Sequence, residues 1–186
     1  MKVNPPKAGF FPLVAAVVFL FAVSAFAQPR DHLTDAESEL IRFHQELDKR
    51  IEVLIKAADR RFALINGQTP PSTKKLIKDE PDWGELPTGT HVQLLGDIEG
   101  ILDEAITNIE DVSRRDPKSP LISRALRKLT AAANGYLAQL QTLRGKSTEA
   151  DEIAAIDRAA DNANQIIQAG SKVAAPAPEN EKKKKP

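Results

Sequence analysis

The chain has 186 residues, 41% of them hydrophobic and 5% aromatic, with lysine plus arginine and aspartate plus glutamate balanced at 26 each. That length suits one ordinary domain with a core of its own, and the even charge balance provides no general field for nucleic acid. With no cysteine, the chain has no disulfide, no lipid-modified cysteine anchor, no thiolate metal site, no covalently attached c-type haem and no cysteine nucleophile.

Lys2 and Lys7 precede an apolar run from Phe10 through Val23, and Ser24-Ala25-Phe26-Ala27 follow before Gln28. A positive end, an apolar stretch and small side chains at Ala25 and Ala27 form the order of a secretory signal peptide, with cleavage expected after Ala27. No twin-arginine pair precedes the run, so the general secretory route is expected, and the product is periplasmic or secreted. The alternative is a retained N-terminal membrane anchor, because Ala8 to Ala27 carries no charge and is just long enough to span a bilayer. Residues 28–170 are then a helical domain, and 171–186 a tail.

Thr34 and Glu37 form a Thr-x-x-Glu capping box that opens the first predicted helix. Leu40, Phe43, Leu47, Ile51, Leu54, Ala58, Phe62 and Ile65 recur at three- and four-residue steps, predicting one continuous helix to Asn66-Gly67. At about 1.5 Å per residue this is a rod of nearly 50 Å. The stretch from Gly67 to Gly89 holds Pro70, Pro71, Pro81 and Pro87 and cannot be one regular element. A short helical turn is expected over Thr73 to Lys78, with Trp83 and Leu86 tucked against the helices.

A second box, Thr90 with Gln93, opens the next helix, whose stripe is Leu94, Leu95, Ile98, Ile101, Leu102, Ala105, Ile109 and Val112, and Asp116-Pro117 stops it. Ser119 and Pro120 start a third helix with Ile122, Ala125, Leu126, Leu129, Ala132, Ala133, Tyr136, Leu140 and Leu143 inward, ending at Gly145. Thr148 with Asp151 opens a fourth, whose thin seam of Ile153, Ile156, Ala159, Ala160, Ala163 and Ile167 closes at Gly170. Four amphipathic helices with one long and two short links predict an all-α protein, an up-down-up-down four-helix bundle. Ala174 to Pro178, Glu179 and Glu181 and the run Lys182, Lys183, Lys184 and Lys185 have the composition of a disordered tail, able to make weak contact with an anionic envelope surface.

Candidate chemistry is sparse. His44 and His91 fall on inward stripes, but an antiparallel hairpin puts His91 near Phe62 rather than His44, so no metal or haem pair is expected. No Glu-x-x-His pair is present, and the only methionine is Met1, so no cofactor is expected. Asp97, Glu99, Asp103, Glu104, Glu110 and Asp111 read as a solvated outer face rather than a catalytic carboxylate site, which needs a partly dry pocket. Gly96 and Gly100 form a Gly-x-x-x-Gly pair opposite the apolar stripe, and each glycine costs about 1 kcal/mol in a helix unless something presses on it. These two glycines, Trp83 and the four lysines are the candidate interaction surface, for an unknown protein partner or self-association. The chain is therefore expected to be a non-enzymatic exported protein acting through its surface, as an envelope structural, adaptor or chaperone-like factor. The alternative is a bundle that holds a metal, haem or small apolar molecule beside its Ala-rich last helix.

Overall fold

The computed structural model of the chain describes residues 30–70 and 81–172, which form one compact unit from Asp31 onward. The expected signal segment, the turn over Thr73 to Lys78 and the lysine run lie outside the described residues. Among the described residues the chain is all-helical, with five helices and no strand: α1 (Asp35–Phe43), α2 (Leu47–Ile65), α3 (His91–Arg115), α4 (Pro120–Arg144) and α5 (Ala150–Ser171). None of them is long and apolar enough to cross a membrane.

The helix starts follow from local chemistry. In α1 the Thr34 hydroxyl accepts from the Glu37 N–H at 3.2 Å while Glu37 Oε2 accepts from the Thr34 N–H at 2.9 Å, closing the box in both directions. Thr90 and Gln93 do the same for α3 at 3.3 and 2.9 Å. Pro120 occupies the first turn of α4, where its missing N–H costs nothing, and Ser119 is its cap residue without a side-chain bond. The cap residue of α5 is Glu149 rather than Thr148, and its side chain makes no capping bond.

The first predicted helix is two helices. The chain leaves helical geometry at His44, whose ψ is 106°, and re-enters after Glu46, whose ψ is 132°. Glu37 and Arg60 are 23 residues apart, which is about 35 Å along a straight helix, yet their side chains meet at 2.7 Å. That contact requires reversal, so α1 folds back along α2. Leu40 and Leu47 are both buried, as the seven-residue spacing implies, while Phe43 at the reversal stays 40% exposed.

α2 and α3 run antiparallel, with Arg50 near the start of α2 bonding Asn108 in the last third of α3, whereas α2 and α4 run parallel, with Asn66 at the end of α2 bonding Gln139 in the last third of α4 at 3.1 Å. α4 and α5 share an extensive contact in which alanines at 125, 133, 155, 159 and 163 are fully buried. Gly170 is helical and lies flat against Thr130, so close approach explains it rather than helix termination. Ile51, Leu54, Ile98, Leu102, Leu129, Leu140, Ile156 and Ile166 fill the centre. In the 81–90 segment Trp83 is buried as expected, but Leu86 is 45% exposed and Pro87 packs inward in its place.

Candidate functional site

The most unusual group of side chains is a buried ionic cluster where α1, α2, α3 and the 81–90 segment meet. Glu37, Arg60, Arg61 and Asp97 are each almost wholly shielded from solvent. Glu37 Oε1 accepts from both guanidinium groups, at 2.7 Å from Arg60 and 2.6 Å from Arg61, while its other oxygen caps α1. Arg60 also donates to the carbonyls of Trp83 and Glu85 at 3.1 and 2.6 Å. Arg61 donates to the carbonyls of Ala57 and His32 at 3.0 and 2.8 Å and sits 3.6 Å from Asp97. Burial lowers the Arg60 pKa from its ordinary value, and Glu37 works against that shift. The Trp83 ring lies beneath two cations, Arg60 at 5.5 Å and Lys56 at 5.9 Å, an arrangement in which the ring face attracts positive charge.

The arginines reach these positions by helix geometry. Arg61 lies on the stripe of Leu54, Ala57 and Ile65, which turns toward the core, so its charge is carried inside by the same periodicity that buries leucine. Glycines then let the peripheral segments close in. A Cβ on Gly84, whose φ is 60°, would stand 2.6 Å from the Ala36 Cβ, and one on Gly100 would stand 2.8 Å from the His32 ring. His32 covers Gly100 and bonds Glu104 at 2.8 Å. That bond raises the His32 pKa, against partial burial, with Glu104 and Asp31 adding to it and Arg61 opposing.

A second ionic group sits toward the start of α2. Asp48 is buried, and Lys128 reaches it at 3.0 Å while also bonding Glu52, with Arg124 at 3.6 Å. Burial works against both carboxylates, but Lys128 outweighs it, and Asp48 and Glu52 are held below their ordinary range. In the middle of the molecule the Tyr136 hydroxyl lies 2.9 Å from the Ile55 carbonyl and 2.7 Å from Asp59. One hydroxyl proton cannot serve two acceptors. The network closes when Asp59 carries a proton, and burial raises the Asp59 pKa in that direction.

The structure separates the residues singled out by sequence. Gly100 is covered by His32 of the same chain, whereas a Cβ at Gly96 would meet no other side chain of the described residues within 4 Å. Trp83 is buried in the ionic cluster, and Lys182 to Lys185 lie outside the described residues. His44 is buried at the α1–α2 break, while His91, expected on an inward stripe, is 58% exposed and lies 3.4 Å from Glu152. Asp97, expected on the solvated face, is buried beside Arg61. Among the described residues no three histidine or carboxylate groups stand close enough together to hold a metal. An apolar slot of about 90 Å³ opens between α3, α4 and α5, lined by Ile106, Ile109, Leu126, Leu129, Ile166 and Ala169. Sequence reasoning missed Arg60 and Arg61 as members of this buried cluster. The available signal was an arginine pair set inside an apolar stripe, with an acidic cap residue upstream to meet it. No family model, curated protein or solved structure matches the chain.

Proposed function

We propose that this chain is an exported, non-enzymatic helical protein that acts through its surface, as an envelope structural, adaptor or chaperone-like factor. In this reading α2 to α5 make an up-down-up-down four-helix bundle with α1 doubled back along it, and residues 1–27 are the secretory signal. The observation that carries it is the use made of the deepest charges. Glu37, Arg60 and Arg61 are committed to one another and to three backbone carbonyls of segments outside α2, at His32, Trp83 and Glu85. Perturbed charges cluster at catalytic sites, but structural ion-pair networks perturb charges too; here the pairs tie the 30–43 and 81–90 segments onto α2. Purification of the tagged protein from the cell envelope, with mass spectrometry of co-purifying proteins and of bound ions and small molecules, tests the reading. A stoichiometric protein partner is expected. A bound ion or small molecule with no protein partner would overturn it.

The apolar slot favours a second reading, a bundle that holds a small apolar molecule against α5. Its volume of about 90 Å³ is below the ~150 Å³ of a dry engineered cavity that takes benzene, so it suits a short aliphatic group and not a haem. Replacing Ala169 with Phe fills the slot and abolishes such binding in native mass spectrometry if this second reading holds.

A further inference from the structure

No residue between Asp35 and Ile65 forces the break that separates α1 from α2. The 31 residues of that span include neither proline nor glycine, and Leu40, Phe43, Leu47 and Ile51 carry a helical stripe straight across the break. His44 and Glu46, which bound it, have φ of −85° and −77°, already in the helical range, and only their ψ values of 106° and 132° are extended. Glu46 supplies α2 with no side-chain cap. In a continuous helix the N–H groups of residues 45–48 would meet the carbonyls of residues 41–44, partners that the start of a separate helix lacks.

What holds α1 folded back is its contacts. Among the helices it packs closely on α2 alone, whereas each of the others packs on at least two. Its fastenings are Glu37 to Arg60 and Arg61, Ala36 against Gly84 and, from the strap of residues 30–34 just before it, His32 over Gly100 and onto Glu104. Each joins residues 30–43 to a residue beyond position 57, so residues 30–43 of a second copy could make it equally well. The place that α1 would leave is selective. Arg60 and Arg61 are buried, and a buried charge stripped of its partner is costly, so the occupant must bring a carboxylate to where Glu37 stands. Phe43, 40% exposed, is the only member of the α1–α2 stripe that the folded-back form leaves uncovered.

We propose that α1 is exchanged between two copies of this chain: residues 35–65 straighten into one helix of about 46 Å, and the α1 of each copy takes the place of the other's. The directions agree. Folded back, α1 runs antiparallel to α2, and two straight helices lying side by side across a twofold axis also run antiparallel, so Glu37 of each copy reaches Arg60 and Arg61 of the other in the same sense. The axis then passes midway between positions 37 and 60, beside Asp48 and Lys49, just beyond the break, and brings Phe43 of each copy within reach of the other. A hinge of three residues favours this kind of exchange. The inference concerns residues 30–65 and holds whether or not the chain is exported.

The test is size-exclusion chromatography with light scattering of the purified protein, before and after refolding from urea over a range of concentrations. A dimer is expected beside the monomer, its share rising with concentration during refolding. Glu46→Pro suits the φ of −77° in the folded-back form but breaks a continuous helix, and is expected to abolish the dimer while keeping the helical circular dichroism. Gln45→Ala with Glu46→Ala favours the continuous helix and is expected to tighten the dimer about tenfold. Because the chain has no cysteine, His32→Cys with Gly100→Cys reports the route. A Cβ at position 100 stands 2.9 Å from the His32 Cβ, a spacing that a small shift of the strap opens to the disulfide range of about 3.5–4.5 Å. On a denaturing gel without reductant, that disulfide is expected within one chain in the oxidised monomer and between chains in the oxidised dimer. A protein that stays monomeric through refolding at every concentration, a dimer whose disulfide stays within one chain, or a dimer that persists in folded Glu46→Pro would overturn the proposal. If Glu46→Pro does not fold, the disulfide decides alone. Failure of the exchange leaves the surface-acting reading standing, since that reading rests on a partner from the envelope.

Discussion

Glu37 serves two structures with its two oxygens. One caps α1, and the other compensates two buried guanidinium groups. Capping alone is worth about 1 kcal/mol, whereas removing one partner of a buried ion pair costs roughly 3–5 kcal/mol because a charge is left behind. Thr34→Ala is therefore expected to cost about 1 kcal/mol and Glu37→Gln at least about 3 kcal/mol, compared by urea denaturation. Equal losses would show that the cluster is only a cap. The two glycines of α3 give a sharper contrast. Alanine improves on glycine in a helix by about 1 kcal/mol, and Gly96 has open space for the added methyl, whereas His32 fills the space at Gly100. Gly96→Ala is expected to raise the melting temperature. Gly100→Ala is expected to lower it and, by displacing His32 from Glu104, to return the His32 titration in NMR toward its ordinary value.

At the scale of elements, the starts of α3 and α4 were legible because their signals are local: Thr90 with Gln93, and Ser119 with Pro120. The inward stripes of α3 and α4 were legible for the same reason, since burial of Leu95, Ile98, Leu129 and Leu140 follows from period alone. The α1–α2 break was not, because Leu40 and Leu47 keep helical spacing across a reversal and both reach the core. What decides it is the meeting of Glu37 with Arg60 and Arg61, a contact between residues 23 and 24 apart that no window of periodicity contains. The candidate site was hidden by the same limit: Arg61 reads as an interruption of the stripe until a partner for it is in place. Arg60 is the shared fastening of α1 and the 81–90 segment. Arg60→Gln is thus expected to speed amide exchange in both of these segments together and to leave α4 and α5 unchanged, as read by hydrogen-exchange mass spectrometry.

Across the whole molecule, two groups of opposite sign set the pH range of greatest stability. His32 is raised by Glu104, so its contribution is complete below the ordinary histidine value of about 6.5 and is lost as pH rises through the folded value. Asp48 and Glu52 are held low by Lys128, so theirs is present above the ordinary carboxylate range of about 4 and is lost as pH falls through the folded values. These two groups alone place the highest urea midpoints between about pH 4.5 and 6.5, and Asp59, raised by burial, adds a loss as pH rises through its folded value. His32→Asn should remove the His32 share of the alkaline decline, and Lys128→Met should move the acid decline to higher pH. The clamp on the 81–90 segment also bears on chain continuity. Its carbonyls, the antiparallel packing of α2 on α3 and the bonds from Tyr136 to α2 all join residues before position 70 to residues after position 81 without using the peptide chain between them. Two separately expressed fragments that divide between those positions should therefore assemble into one folded heterodimer, much as a severed rope holds where the knot lies beyond the cut.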